Sequence, residues 1–197
     1  TLSSAMEGII GEMNEVILGV PYSWTDKNGI LGSKRDLIRK INKELELKPL
    51  GYVTMTDSVL TFLKMQEGTP STAIIIQVTH AELTLVLVRL GRIENIVNID
   101  RSSEVVKDVV EGIASLKTNE NLPSRIILFN NMHGLDEMTQ SLLMVEWQEQ
   151  FQFLHIPKIE ALPKDIAIRA LAVAGGSEIA KSLGFKVEET VKEENVA

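Results

Sequence analysis

His80, His133 and His155 are the chain's three histidines, and each falls beside a segment with strand character. A neutral imidazole is a ligand for zinc or nickel, and an imidazolium is a partner for phosphate. In an open α/β sheet the C-terminal strand ends share one edge, where ligands usually bind. The three histidines follow the first, fourth and fifth strands of the order set out below, which puts all of them along that edge. Strands spaced about 5 Å apart would spread the outer two, and we read all three as polar loop residues without metal. Nuclease chemistry of the two-metal kind needs an acid in the middle of the first strand. Gln77 stands there instead, and Asp100, at the end of the third strand, has no evident acidic partner. The run Ala174-Gly175-Gly176-Ser177 has the composition of a phosphate-binding break but lies inside a helical segment, where a glycine pair marks close packing or a kink. No Gly-x-Gly-x-x-Gly follows a strand, and no Ser-His-Asp order or nucleophile elbow occurs. No catalytic residue and no metal ligand is expected.

Composition narrows the partners. The 197 residues are 44% hydrophobic and 24% charged, enough apolar side chain for one large domain or two small ones. A net charge of -7, with basic residues scattered along the chain, argues against nucleic acid. Cysteine is absent, so disulfide and thiolate chemistry are excluded and a reducing, cytoplasmic setting fits. The longest apolar runs, Ala73–Val78 and Leu83–Val88, fall far short of the roughly 20 residues of a membrane span. The chain starts at Thr1 within helix-like sequence, as a fragment of a longer protein would. Membrane contact is therefore expected only through partners or an absent segment.

The elements follow from periodicity and turn chemistry. Leu2–Met13 reads as a helix and Glu15–Val20 as a strand ended by Pro21. Ser33 is the expected cap of a helix to about Leu45, with Leu37, Ile38, Ile41 and Leu45 on one apolar face. Gly51–Met55 is a short strand, and Asp57 caps a helix that buries Val59, Leu60, Phe62 and Leu63 before Gly68-Thr69-Pro70. Thr72–Val78 has the unbroken apolar run of a strand buried on both faces. Glu82–Leu90 and Arg92–Ile99 follow so closely, with Gly91 at the turn, that the three must form an antiparallel meander. Beyond it come a helix from Ser102 or Ser103 to about Leu116, the strand Arg125–Phe129 and a helix over Leu135–Gln150. A strand over Phe151–Ile156 and a helix from about Lys164 to Leu183 complete the order. Trp24 is expected to anchor a loop, and Trp147 to join the core.

From Thr72 the order is β-β-β-α-β-α-β-α, a mixed five-stranded sheet with helices on its faces. Before it stands a β-α-β-α copy without its own meander. The expected domains are 1–70, a partial first lobe; 71–185, the second lobe; and 186–197, a charged tail or linker.

This order resembles the RNase H-like fold of the actin, Hsp70 and sugar-kinase superfamily, and within it the PilM/FtsA-like bacterial branch. Leu45–Val53 with Asp57–Leu60 is similar to that family's bridge between lobes, and Ile74–Val78 with Leu83–Ile93 to its phosphate-loop hairpin. Arg125–Phe129 with Asn130-Asn131-Met132-His133-Gly134-Leu135 resembles its adenosine loop. The hairpin loop of the family reads Asp-x-Gly-x-x-x-Thr; with Gly91 as register mark those positions fall on Gln77, Thr79 and Leu83, and none matches. The glycine pair of the adenosine loop falls on Asn130 and Asn131, with Gly134 retained; asparagine tolerates positive φ, but its side chain crowds a base or ribose. The resemblance implies ATP and Mg²⁺ as cofactors to consider, held by Thr79, His80, Asn130, Asn131 and Gly134 against a missing lobe. The eroded loops point instead to a non-catalytic scaffold in a pilus-type or division-type assembly with protein partners, at the inner face of the cytoplasmic membrane. An ATP-binding switch is the alternative.

Overall fold

The computed structural model describes residues 14–130 and 134–182. The helix expected over Leu2–Met13, the tail from 186 onward, Asn131 and His133 lie outside them. The chain divides between Thr54 and Met55 into two compact units.

In the first unit β1 (Glu15–Val20) pairs in parallel with β4 (Lys48–Thr54), with a bulge between Val16 and Ile17. Between them come a 3₁₀ turn at Tyr22–Trp24, a small hairpin of β2 (Thr25–Asp26) and β3 (Gly29–Ile30), and the helix α1 (Gly32–Glu44). Lys34 lies over the Trp24 ring, 5.0 Å from its centre, so this tryptophan does anchor the loop to the helix. Ser33 does not cap α1. The helix starts two residues earlier than that cap would set, Leu31 holds the cap position without a side-chain bond, and the Leu31 carbonyl accepts from the N–H groups of Lys34 and Arg35. Leu37, Ile41 and Leu45 share a face as their spacing requires, yet all three are exposed, while Asn42 is buried.

The second unit opens with α2 (Met55–Glu67), whose Asp57 lies in the first turn rather than at the cap. Val59, Leu60 and Leu63 pack with Ile75, Val86 and Ile127, which is why this helix belongs with the residues after it and not with those before. The strands β5 (Ala73–Val78), β6 (Glu82–Arg89) and β7 (Arg92–Asp100) form the meander. After α3 (Val105–Ser115), the strands β8 (Arg125–Phe129) and β9 (Lys158–Ala161) add in parallel on the far side of β5, giving the order β7-β6-β5-β8-β9.

Period-two alternation sorts the core into two layers. Ile74, Ile76 and Val78 of β5 face α3 and α4 (Leu135–Leu143), whereas Ala73 and Ile75 face α2 and α6 (Ile166–Ser182). At about 1.5–3 kcal/mol for each large side chain fully buried, this central pair of layers is the main source of stability. The helix expected over Leu135–Gln150 is interrupted: it stops at Leu143 and resumes as the short α5 (Trp147–Gln150). Trp147 causes the break. Its buried indole N–H donates to the Leu142 carbonyl at 2.9 Å, and its ring packs tilted against Phe151 and edge-on against Phe153, pulling the chain inward. The fifth strand is also displaced, from the expected Phe151–Ile156 to Lys158–Ala161; Phe153 makes only an isolated bridge to Leu122. Ala174–Ser177 runs within α6 without a break, so no phosphate loop forms there, and a Cβ on Gly176 would meet nothing within 4 Å.

A charge cluster clips the N-terminal side of β8 to its neighbours. Arg125 donates Nη1 and Nη2 to the Glu67 carboxylate at 3.0 and 2.6 Å, and Nε to Glu160 at 2.7 Å. The Arg125 bond holds the Glu67 carboxyl below its ordinary value of 4.5. Burial pushes Glu160 upward, but bonds from Lys158 and Arg125 outweigh it and the net shift is also downward. Because both folded values are depressed, this stabilisation is fully present above the unfolded carboxylate value and is lost as pH falls from there through the lower folded values. Arg125→Met is expected to cost about 2 kcal/mol near neutral pH, less than a fully buried pair because the cluster is partly exposed. The difference between variant and parent, read by urea titration, should shrink below pH 4.5. A pH-independent difference would mean that packing, not charge, holds the cluster.

Candidate functional site

The C-terminal ends of β5 and β8 form the edge where a ligand of this sheet would sit. Gln77 pairs with Phe129 in the register, so Thr79 and Asn130 leave from neighbouring strand ends. Asn130 is buried at this turn, Thr79 is half-buried and His80 is exposed. Gly134 has φ +103 and stands at the cap position of α4. That left-handed backbone is what a glycine is needed for, and it is the residue retained from the expected loop.

The hairpin loop after β5 closes upon itself. The Thr79 N–H donates to the Glu82 carbonyl at 3.0 Å, the Thr79 hydroxyl donates to the same carbonyl at 2.8 Å, and the Glu82 N–H donates to the Thr79 hydroxyl at 3.0 Å. Arg101, at the end of β7, straps the loop from outside: its backbone N–H donates to the Ala81 carbonyl at 2.8 Å and its guanidinium to the Thr79 carbonyl at 3.0 Å. A loop that cradles phosphate must offer its N–H groups outward. Here Thr79 and Glu82 have theirs engaged within the turn. Nothing in the residue types marked Arg101 in advance, because its role depends on strand pairing.

Beneath the loop, Gln77 is 3% exposed, its Nε2 donates to the Met55 sulfur at 3.0 Å, and its Oε1 has no hydrogen-bond partner. Met55 thus covers the side chain at the position where the resembling loops carry an aspartate. The first turn of α4 carries Asp136 and Glu137, which stabilise the helix but repel an anion at its N-terminus. A cleft of about 560 Å³ opens beside Gly134, lined by Arg101, Ser103, Glu104 and Glu137. Its charge is mixed, and Asp108 below it is occupied by the N–H and hydroxyl of Ser102, at 2.8 and 2.7 Å. That arrangement also corrects the expected capping of α3 by Ser102 or Ser103: the helix carboxylate holds the loop serine.

His80 and His155 do not converge. His80 follows β5, but His155 precedes β9 and its backbone N–H donates to the Ser124 hydroxyl just before β8, so it lies at the opposite edge of the sheet. The misplacement follows directly from the displaced fifth strand. Among the described residues no three His, Asp or Glu side chains gather to hold a metal ion. Asp100 does have an acidic neighbour, Glu82, directly opposite across β6 and β7, which the sequence reading missed because it lay across a strand pair. No helix among the described residues is long and apolar enough to cross a membrane.

Among solved structures the chain is similar to the ethanolamine utilization protein EutJ from Carboxydothermus hydrogenoformans, with a TM-score of 0.56 at 9% identity over 87% of this chain and 70% of that one. A protein from Bacteroides thetaiotaomicron described as having an actin-like ATPase fold and unknown function aligns over 87% of this chain and 79% of that one, at 8% identity and a TM-score of 0.49. No protein-family model matches the sequence, and no curated protein matches it. The mixed five-stranded sheet with flanking helices belongs to the architecture shared with EutJ, and an identity this low speaks to fold alone.

Proposed function

We propose that this chain is a non-catalytic actin-like scaffold domain that works through protein partners. The observation that carries the reading is the self-closed hairpin loop, in which the N–H groups of Thr79 and Glu82 are engaged within the turn. ATP and Mg²⁺ do not fit the residues present: Gln77 replaces a carboxylate beneath Met55, and the α4 N-terminus is acidic. A pilus-type or division-type assembly at the inner face of the membrane is supported by the retained order of elements beside eroded loops.

Calorimetric titration of Mg-ATP into the full chain, with thermal melting alongside, tests the reading. No heat and no thermal stabilisation at millimolar ATP are the expected results. Micromolar binding abolished by Thr79→Trp or Gly134→Val would replace the scaffold with a nucleotide switch.

A further inference from the structure

Trp147 draws α5 into the core, and the turn this creates pushes Leu143 and Met144 outward, 56% and 81% exposed. Ile156 is 75% exposed on the other side of the same turn. A groove of about 510 Å³ runs between α3 and this turn, with Val106, Val110, Met144 and Val145 among its lining. Glu111 and Glu146 line its rim, and neither is paired with a cation among the described residues. The single rim lysine, Lys107, is engaged by Glu104. Val106, Val110 and Val145 are half-buried and pack against the core beneath them, so this part of the groove is anchored in the fold.

We infer that this groove docks an amphipathic helical segment of another protein, with leucine-type side chains on one face and Lys or Arg flanking them. Two helices and a turn leave a trough into which the ridge of a third helix packs, and spaced apolar anchors with charged flanks are how such segments bind. Charge selects the partner. The two unpaired rim glutamates favour a segment whose flanks are cationic. A second copy presenting the same face would set glutamates against glutamates. The inference stands apart from the nucleotide question, since α3 and the α4–α5 turn take no part in the Thr79 loop.

A fluorescent, amphipathic Leu/Lys peptide of about five turns, titrated into the full chain at physiological salt, provides the test by anisotropy, with its Leu/Glu counterpart as control. The Leu/Lys peptide should bind with a Kd of about 1–10 μM, and the Leu/Glu peptide should not. Met144→Asp and Glu146→Lys should each weaken binding about tenfold or more. Both positions are solvent-facing, and unchanged melting of the two variants shows that folding is not what is lost. Absence of binding, or binding that neither variant weakens, overturns the inference. Sedimentation that shows self-association abolished by Met144→Asp would also overturn it and assign the groove to a second copy.

Discussion

Gln77→Glu is expected to destabilise the chain by about 3–5 kcal/mol at neutral pH, with little change in side-chain volume to confuse the reading. Gln77 lies in the central strand with Met55 over it, and the oxygen that becomes half of the carboxylate has no partner. Burial without a cation raises the folded pKa of the new carboxyl above its unfolded value. The penalty is therefore absent below the unfolded carboxylate range, grows as pH rises and levels off above the raised value. Urea titrations between pH 4 and 8 measure it. Gln77→Leu, which removes the unpaired oxygen, should be neutral or slightly stabilising. If Gln77→Glu were tolerated and stabilised further by Mg²⁺, this strand end would be a working cation site and the scaffold reading would fail.

Gly112→Val should cost about 3 kcal/mol, the upper end for overpacking. A Cβ at Gly112 on α3 would stand 2.6 and 2.7 Å from the two terminal carbons of Leu85. Leu85 is fully buried in β6 and has nowhere to turn, so the helix itself must lift. The double variant Gly112→Val/Leu85→Ala should lose less than the sum of the singles, because the smaller residue vacates the space. Additive losses would place the cost in α3 itself.

Legibility in the sequence tracked how local each determinant was. The meander was readable from Ala73 to Asp100 because unbroken apolar runs and a tight Gly91 turn permit one pairing only. Arg125–Phe129 was readable for the same reason. The boundaries failed where one distant contact outweighed periodicity. Trp147 broke a helix that Leu135–Gln150 would otherwise continue, and the shift carried the fifth strand and His155 with it. Thr79 was picked out as a site residue by register, but the bonds that close its loop were invisible, since they join its hydroxyl to the backbone of Glu82 and its carbonyl to Arg101. The face of α1 was legible and its exposure was not, because periodicity reports which residues align and not what covers them.

The strand order also sets a sequence of events for the chain as it is made. Ile74 meets Leu87 across a single hairpin, but it meets Ile126 only after a helix and a long connection have emerged. Loop closure is cheap for the first pairing and costly for the second. The meander can thus gather on the ribosome while one side of β5 stands bare, an open apolar edge until Arg125–Phe129 arrives to cover it. Slowing synthesis between Asp100 and Arg125 would lengthen the life of that bare edge, which makes the stretch before β8 the interval in which this chain is most in need of a chaperone.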